Sequence, residues 1–147
     1  MMQILVLGLG NISLADEGIG IHVAQNLLAN EPRDDVVVLD VGNAVADAMP
    51  AIAAADKVVV VDAMEGGGPP GSVYRVRIDD YDSADPIGSI HRFDLKSALF
   101  MVDRKTPPEV IVIGVEPEVV SWSTNLSRAV KAAFPKDITT VQEELSA

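Results

Sequence analysis

Three residues that are far apart in the sequence, Glu17, Asp62 and His91, are of the types that ligate a divalent metal ion. Each follows a segment expected to lead to one edge of an α/β sheet, where the carboxyl ends of parallel strands meet and ligands bind. The chain contains no cysteine, so any metal must be held by oxygen and imidazole ligands. The sequence therefore predicts a metal site made of two carboxylates and one imidazole.

Polar residues follow four of the predicted strands, which supports a functional site at that edge. The residues at these strand ends are Asn11, Asp40, Asp62 and Glu116. Each alone has a plainer explanation, because Asp and Asn commonly cap turns and a single histidine is usually structural. We expect Asp16 to cap the first helix and His22, inside that helix, to be structural. The coincidence of several such residues at one edge favours the site.

The alternation of short β-branched runs with Ala- and Leu-rich helical stretches is typical of an α/β fold. The runs at 58–61 and 110–113 are apolar throughout, as in parallel strands that are covered on both faces. Residues 74–79 instead alternate apolar and polar side chains, as in an edge or antiparallel strand. We predict a three-layer α/β/α sandwich around a mainly parallel five-stranded sheet with one antiparallel or edge strand.

The end of the chain and two loops have less regular patterns. A helix is predicted over 126–134, and the weakly patterned tail from residue 136 onward is expected to dock loosely or fray. A further helix is predicted over 95–102. The loops at 65–71 and 79–89 are rich in turn residues and are candidates for movement near the site.

Composition narrows the possible classes of protein. With 48% hydrophobic and 22% charged residues among 147, the chain is too apolar to be disordered and is expected to form a single domain over residues 1–147. The net charge of −11 argues against nucleic acid or an anionic membrane as a partner. The first residues lack the features of a signal peptide, and no apolar run reaches the roughly 18 residues of a membrane span. We therefore expect a cytoplasmic protein.

Dinucleotide binding is an alternative, because Gly8-Leu9-Gly10 follows the first predicted strand and Asp40 ends the second. The third glycine of the dinucleotide-binding pattern falls at Ser13. The carboxylates at positions 16 and 17 are also poorly placed beside a pyrophosphate. A Rossmann-like enzyme is thus the main alternative to a metal site.

The motifs taken together resemble the nickel–iron hydrogenase maturation endopeptidases over residues 4–134. The matching segments are 8–11 (GLGN), 16–20 (DEGIG), 61–63 (VDA), 89–91 (SIH) and 114–117 (GVEP), with 122–123 and 126–127 downstream. The resemblance implies that Glu17, Asp62 and His91 are the metal ligands and catalytic residues. This is the same trio that the strand ends indicate.

The resemblance also implies a reaction and its participants. Such a protein is an endopeptidase, a hydrolase acting on peptide bonds, that removes a short C-terminal extension from the hydrogenase large-subunit precursor after nickel has been inserted. The nickel arrives with the substrate, although other divalent metals can occupy the site in vitro. Three protein ligands then leave coordination positions for precursor thiolates. A non-catalytic nickel-binding maturation module is the second alternative.

Residues near the trio are expected to contact the substrate. We predict amide donors at Asn11, a proton acceptor at Asp16, and peptide contacts at Gly42 and Asn43 after the second strand. Many members of the family have Asp-Gly-Gly at this turn, whereas the present chain has Val41 in the middle position. Valine does not readily adopt a positive φ, so the turn is expected to differ in shape.

Overall fold

A five-stranded sheet with helices on both faces forms the centre of the computed structural model of this protein. The structure describes residues 2–30, 33–78, 101 and 106–146. The described strands are β1 (Ile4–Leu9), β2 (Val36–Gly42), β3 (Lys57–Ala63), β4 (Val73–Arg77) and β5 (Glu109–Val115). The described helices are α1 (Ile19–Asn30), α2 (Met49–Ala54) and α3 (Arg128–Ser146), and 3-10 turns span Ala15–Gly18 and Val45–Ala48.

The strands lie in the order β2-β1-β3-β5-β4. β1 pairs in parallel with β2 and β3, and β3 pairs in parallel with β5, whereas β4 runs antiparallel to β5 at the edge. This confirms the predicted mainly parallel sheet and its antiparallel edge strand. Because β1 has β2 on one side and β3 on the other, the carboxyl ends of β1 and β3 form the switch point at which α/β proteins bind ligands.

Apolar layers cover both faces of the sheet. Val58 and Val60 of β3 pack in the layer that contains α2, and Val59 and Val61 pack in the layer that contains α1 and α3. All four side chains are fully buried, which explains why this strand lacks polar alternation. The predicted three-layer α/β/α sandwich is confirmed.

The C-terminal helix departs from the sequence prediction. The predicted helix end at residue 134 and the loose tail from residue 136 are wrong, because α3 continues through Pro135 to Ser146. A proline inside a helix removes a hydrogen bond and costs about 3 kcal/mol. Val141 and Leu145, which follow the proline, are buried in the same apolar layer as α1. Their burial stabilises the continued helix.

A buried ion pair provides a second link between α3 and the sheet. Lys57 Nζ, at the start of β3, lies 3.1 Å from Glu144 Oε1 and donates to the Glu144 backbone carbonyl at 2.8 Å. Arg75 Nη1 of β4 lies 3.3 Å from Glu144 Oε2. Loss of either partner of a buried pair leaves an uncompensated charge. The last turns of α3 are therefore integral to the fold.

Two predicted elements, the loop over 79–89 and the helix over 95–102, lie outside the described residues except for Met101. Among the residues that are described, no helix combines the length and apolar character needed to cross a membrane.

Replacing Leu145 with alanine tests whether the last turns of α3 belong to the fold. Leu145 is 7% exposed, so we expect the free energy of unfolding to fall by about 2–3 kcal/mol. Leu28→Ala in α1 is the matched control, because Leu28 is 54% exposed and its loss should change stability by less than about 0.5 kcal/mol. Urea denaturation measures both values. Equal midpoints for the two variants would contradict the packing of α3.

Candidate functional site

Gly10, directly after β1, lies where Glu17 and Asp62 approach each other. A side-chain carbon added at Gly10 would overlap the carbonyl oxygen of Glu17 and would lie 3.4 Å from Asp62 Oδ1. Gly10 also has a φ of +121°, a conformation that other residues rarely adopt. Glycine at this position therefore allows the Glu17 backbone and the Asp62 carboxylate both to lie close to the end of β1.

Hydrogen bonds fix the backbone that carries Glu17. The Asn11 N–H donates to the Glu17 carbonyl at 3.1 Å, and the Glu17 N–H donates to the Leu14 carbonyl at 3.1 Å. Asn11 Oδ1 accepts from the Ser13 N–H at 2.9 Å, which makes an Asx turn. Ala15 has a φ of +50°, a strained conformation that the surrounding bonds maintain. Glu17 is partly exposed, so its side chain is accessible to a ligand.

Asp62, in contrast, is almost fully buried. It lies near the end of β3 and is 3% exposed. Asp62 Oδ1 accepts from the Ala63 N–H at 2.8 Å, which orients the carboxylate at the edge of the sheet. A buried carboxylate is stable only beside hydrogen-bond donors or a cation. Its position is compatible with metal ligation.

The third predicted ligand, His91, lies outside the described residues. Within the part of the chain that is described, no three His, Asp or Glu side chains form a group that could hold a metal ion. The structure thus brings two of the three predicted positions together, and the role of His91 stays a prediction.

Burial lowers the pKa of His22, and its hydrogen bond to the Thr124 carbonyl opposes this only in part. The burial of the imidazole and its hydrogen bond to Thr124 both agree with the structural role expected for His22.

An open cavity of about 390 Å³ lies beside this edge, between α1 and the turn after β2. Three of the four predicted substrate contacts, Asn11, Gly42 and Asn43, line the cavity, and Asp40 lies with them. The Gly10 N–H donates to the Gly42 carbonyl at 3.1 Å, so the cavity is connected directly to the Glu17 and Asp62 region.

The turn after β2 accommodates valine without strain. Gly42, and not Val41, has the positive φ, which is +59°. Val41 and Gly42 are the last two residues of β2, and the register of β1 against β2 shifts between Gly8 and Leu9, with Leu9 paired to Gly42. The turn can therefore form with the residues that this chain contains.

The sequence is similar to proteins of hydrogenase maturation. The pattern of a family described as hydrogenase maturation protease (HycI) matches residues 21–144. The hydrogenase expression/formation protein HupD of Rhizobium leguminosarum bv. viciae is 30% identical over 145 residues, which cover 94% of this chain and 71% of HupD. The chain belongs to the hydrogenase maturation protease family.

Solved structures of hydrogenase maturation proteases have the same fold. The hydrogenase maturating endopeptidase HybD of E. coli matches with a TM-score of 0.85 at 28% identity, over 99% of this chain and 93% of that chain. The [NiFe] hydrogenase maturation protease HybD of Thermococcus kodakarensis matches with a TM-score of 0.81 at 25% identity, over 97% and 98%. The prediction of a peptide-bond hydrolase of hydrogenase maturation is confirmed, and the dinucleotide-binding alternative is not supported.

In this member of the family, Asp16 connects distant segments of the chain. It lies inside the 3-10 turn and is fully buried. Its Oδ2 accepts from the N–H groups of Glu118 and Val119, both at 2.8 Å, and its Oδ1 accepts from the Ser127 N–H at 2.7 Å. The predicted cap of α1 is wrong, because these bonds go to the segment after β5. They also argue against the predicted roles of Asp16 as substrate contact and proton acceptor.

The protonation equilibrium of Asp16 agrees with this role. Burial raises the pKa of Asp16, but hydrogen bonds from the N–H groups of Val119, Ser127 and Glu118 and from the Ser127 side chain outweigh burial, and the pKa lies below its usual value of 3.8. A carboxylate whose pKa is lowered in this way is a weaker proton acceptor than an ordinary aspartate. Its charge instead strengthens the three hydrogen bonds.

A second anchoring carboxylate, Glu116, was not assigned a role from the sequence. Glu116 Oε1 accepts from the Gly66 N–H at 2.8 Å and from the Tyr74 hydroxyl at 2.7 Å. The Tyr74 oxygen accepts from the Gly68 N–H at 2.9 Å. The loop at 65–71, predicted as a candidate for movement, is thus hydrogen-bonded to β4 and to the end of β5. In the sequence, Glu116 is recognisable only as an acid at the end of a strand. That position does not identify a hydrogen-bond partner 50 residues away.

The variant Asp16→Asn tests whether Asp16 is an anchor. Asparagine keeps the shape but loses the charge, and we expect the free energy of unfolding at pH 7 to fall by about 2–4 kcal/mol. The native pKa is lowered, so the stabilisation by Asp16 is complete above its unfolded pKa and is lost as the pH falls through the native pKa. The stability difference from wild type should therefore shrink below pH about 4.

Urea denaturation between pH 7 and pH 3 measures this difference. An Asp16→Asn protein with the wild-type midpoint at pH 7 and no peptidase activity would instead support the proton-acceptor role and contradict the anchor.

Proposed function

We propose that this protein removes the C-terminal extension of the nickel-loaded [NiFe]-hydrogenase large-subunit precursor, and that Glu17, Asp62 and His91 recognise the inserted nickel. The observation that carries the proposal is the approach of the Glu17 backbone and the Asp62 carboxylate at Gly10, in a chain of the hydrogenase maturation protease family. The relatives named above support the substrate, since their own names refer to hydrogenase maturation.

The donor set suits a metal that the substrate carries. Two carboxylates and one neutral imidazole are acceptable ligands for nickel but form an incomplete coordination shell. Precursor thiolates supply the remaining ligands in this proposal, so recognition requires both proteins. The negative charge of Asp62, which is almost fully buried, favours a cation at this position. A bound divalent metal supplies Lewis-acid polarisation of a nearby carbonyl group.

The other side chains of the site position the peptide. Asn11, Gly42 and Asn43 line the cavity that adjoins Gly10, and an extended peptide placed there would have its amide groups near the turn after β2. The hydrogen bonds around Asn11 and Glu17 hold this edge in one geometry before the substrate binds. Such preorganisation raises the effective concentration of the reacting groups.

The setting of the reaction is also part of the proposal. We assign the activity to one hydrogenase maturation protease-like domain over residues 1–147, acting in the cytoplasm on a protein substrate. The net charge of −11 disfavours nucleic acid and anionic membranes as partners.

The variants Glu17→Gln, Asp62→Asn and His91→Ala test the three ligands. Each removes one ligand, so we expect the rate of precursor processing to fall by at least about 100-fold. Gel electrophoresis of nickel-loaded precursor measures the cut, and nickel-free precursor should stay intact with the wild-type protein. The midpoint of urea denaturation should change little for Glu17→Gln, because Glu17 is partly exposed.

Glu65→Gln is the matched control, since Glu65 is an exposed carboxylate three positions after Asp62. It should process the precursor at the wild-type rate. Full activity of Asp62→Asn or His91→Ala would refute the ligand assignment. Binding of nickel-loaded precursor by the wild-type protein without any cut would indicate a non-catalytic nickel-binding module.

A further inference from the structure

The loop that follows β5 exposes three apolar side chains close together in the sequence. The exposed fractions are 39% for Val119, 51% for Val120 and 82% for Trp122. We call these three residues the Trp122 patch. Single exposed apolar residues are ordinary, but a group that includes a tryptophan is typical of a surface where another protein binds.

The backbone of the Trp122 patch is held in place at both ends. The Val119 N–H donates to Asp16 Oδ2 at 2.8 Å, and the Asp16 N–H donates to the Val119 carbonyl at 3.1 Å. On the other side, the Ala15 N–H donates to the Ser123 carbonyl at 2.8 Å, and the Ser123 N–H donates to the Ser13 carbonyl at 2.9 Å. A fixed backbone presents the apolar side chains to water in a defined arrangement. Less conformational entropy is lost when a partner binds such a surface.

The anchors of the patch are also the residues that lead to the candidate site. Residues 13, 15 and 16 bond to the patch loop, and Glu17 follows them directly in the sequence. The patch loop is therefore hydrogen-bonded to the segment that carries Glu17. A protein whose nickel is bound at Glu17 lies within reach of the patch.

We infer that the Trp122 patch is the docking surface for the body of the precursor protein, which contacts it through an apolar, non-acidic surface beside the segment to be cut. This inference rests on the proposed function. The occupant should not be acidic, because the chain has a net charge of −11 and the exposed Glu118 adjoins the patch. The patch would then supply affinity, while the metal ligands supply recognition of the nickel.

Trp122→Ala tests the docking surface by steady-state kinetics with nickel-loaded precursor. Buried tryptophans often dominate binding at interfaces, so we expect KM to rise by about 10-fold or more while kcat stays within about 2-fold. Leu28→Ala is the control, because Leu28 is also apolar and exposed but lies towards the far end of α1. It should leave KM unchanged. The urea midpoint of Trp122→Ala should match the wild type, since the side chain packs little.

Fluorescence gives a readout that does not depend on cleavage. Trp122 is the one tryptophan of the chain, so binding of precursor should shift its emission to shorter wavelength. Subtracting the spectrum of the Trp122→Phe protein with the same precursor removes the emission of the precursor itself.

The outcomes separate the docking surface from the proposed activity. Processing with an unchanged KM in Trp122→Ala and an unshifted emission would overturn the docking surface and leave the peptidase intact. A shifted emission without processing by the wild-type protein would support docking and refute the proposed activity. An emission that shifts with the concentration of the isolated protein, together with a dimer by gel filtration, would assign the patch to a second copy of this chain and overturn the inference.

Discussion

The buried carboxylate of Asp16 joins parts of the chain that are more than a hundred residues apart. Its three hydrogen bonds connect the turn after β1 to the loop after β5 and to Ser127, which directly precedes α3. The Ser127 hydroxyl in turn accepts from the Val130 N–H at 3.4 Å, in the first turn of α3. The position of Glu17, the start of α3 and the orientation of the loop after β5 thus depend on a single ionised side chain.

The close approach of α1 to the ends of β1 and β3 is the second constraint on the candidate site. A side-chain carbon at Gly20, in the first turn of α1, would overlap the carbonyl oxygens of Leu9 and Val61. α1 can therefore rest directly on the ends of β1 and β3 only because this residue is glycine. Glu17 precedes α1 and Asp62 follows Val61, so the same contact brings the two acids to one edge.

The neighbouring acids Asp16 and Glu17 show how environment separates groups of similar chemistry. Asp16 is buried and accepts three backbone hydrogen bonds, whereas Glu17 is partly exposed. The Asp16 carboxylate binds other segments of the chain, whereas the Glu17 carboxylate is accessible to a ligand. Exchange of the two side chains would place a longer carboxylate in a site that is already filled, and overpacking of that kind is destabilising.

The sequence by itself determined the architecture and the edge at which the site lies. Unbroken apolar runs such as 58–61 require cover on both faces, and the alternation at 74–79 indicates an edge strand, because these patterns depend only on neighbouring residues. The motif residues likewise determined the family. The tertiary structure alone decided the hydrogen-bond partners of Asp16 and Glu116 and the continuation of α3 through Pro135. Each depends on contacts between residues far apart in the chain. These contacts are stronger than the local tendencies that predicted a helix cap at Asp16, a loop able to move and a helix end near Pro135.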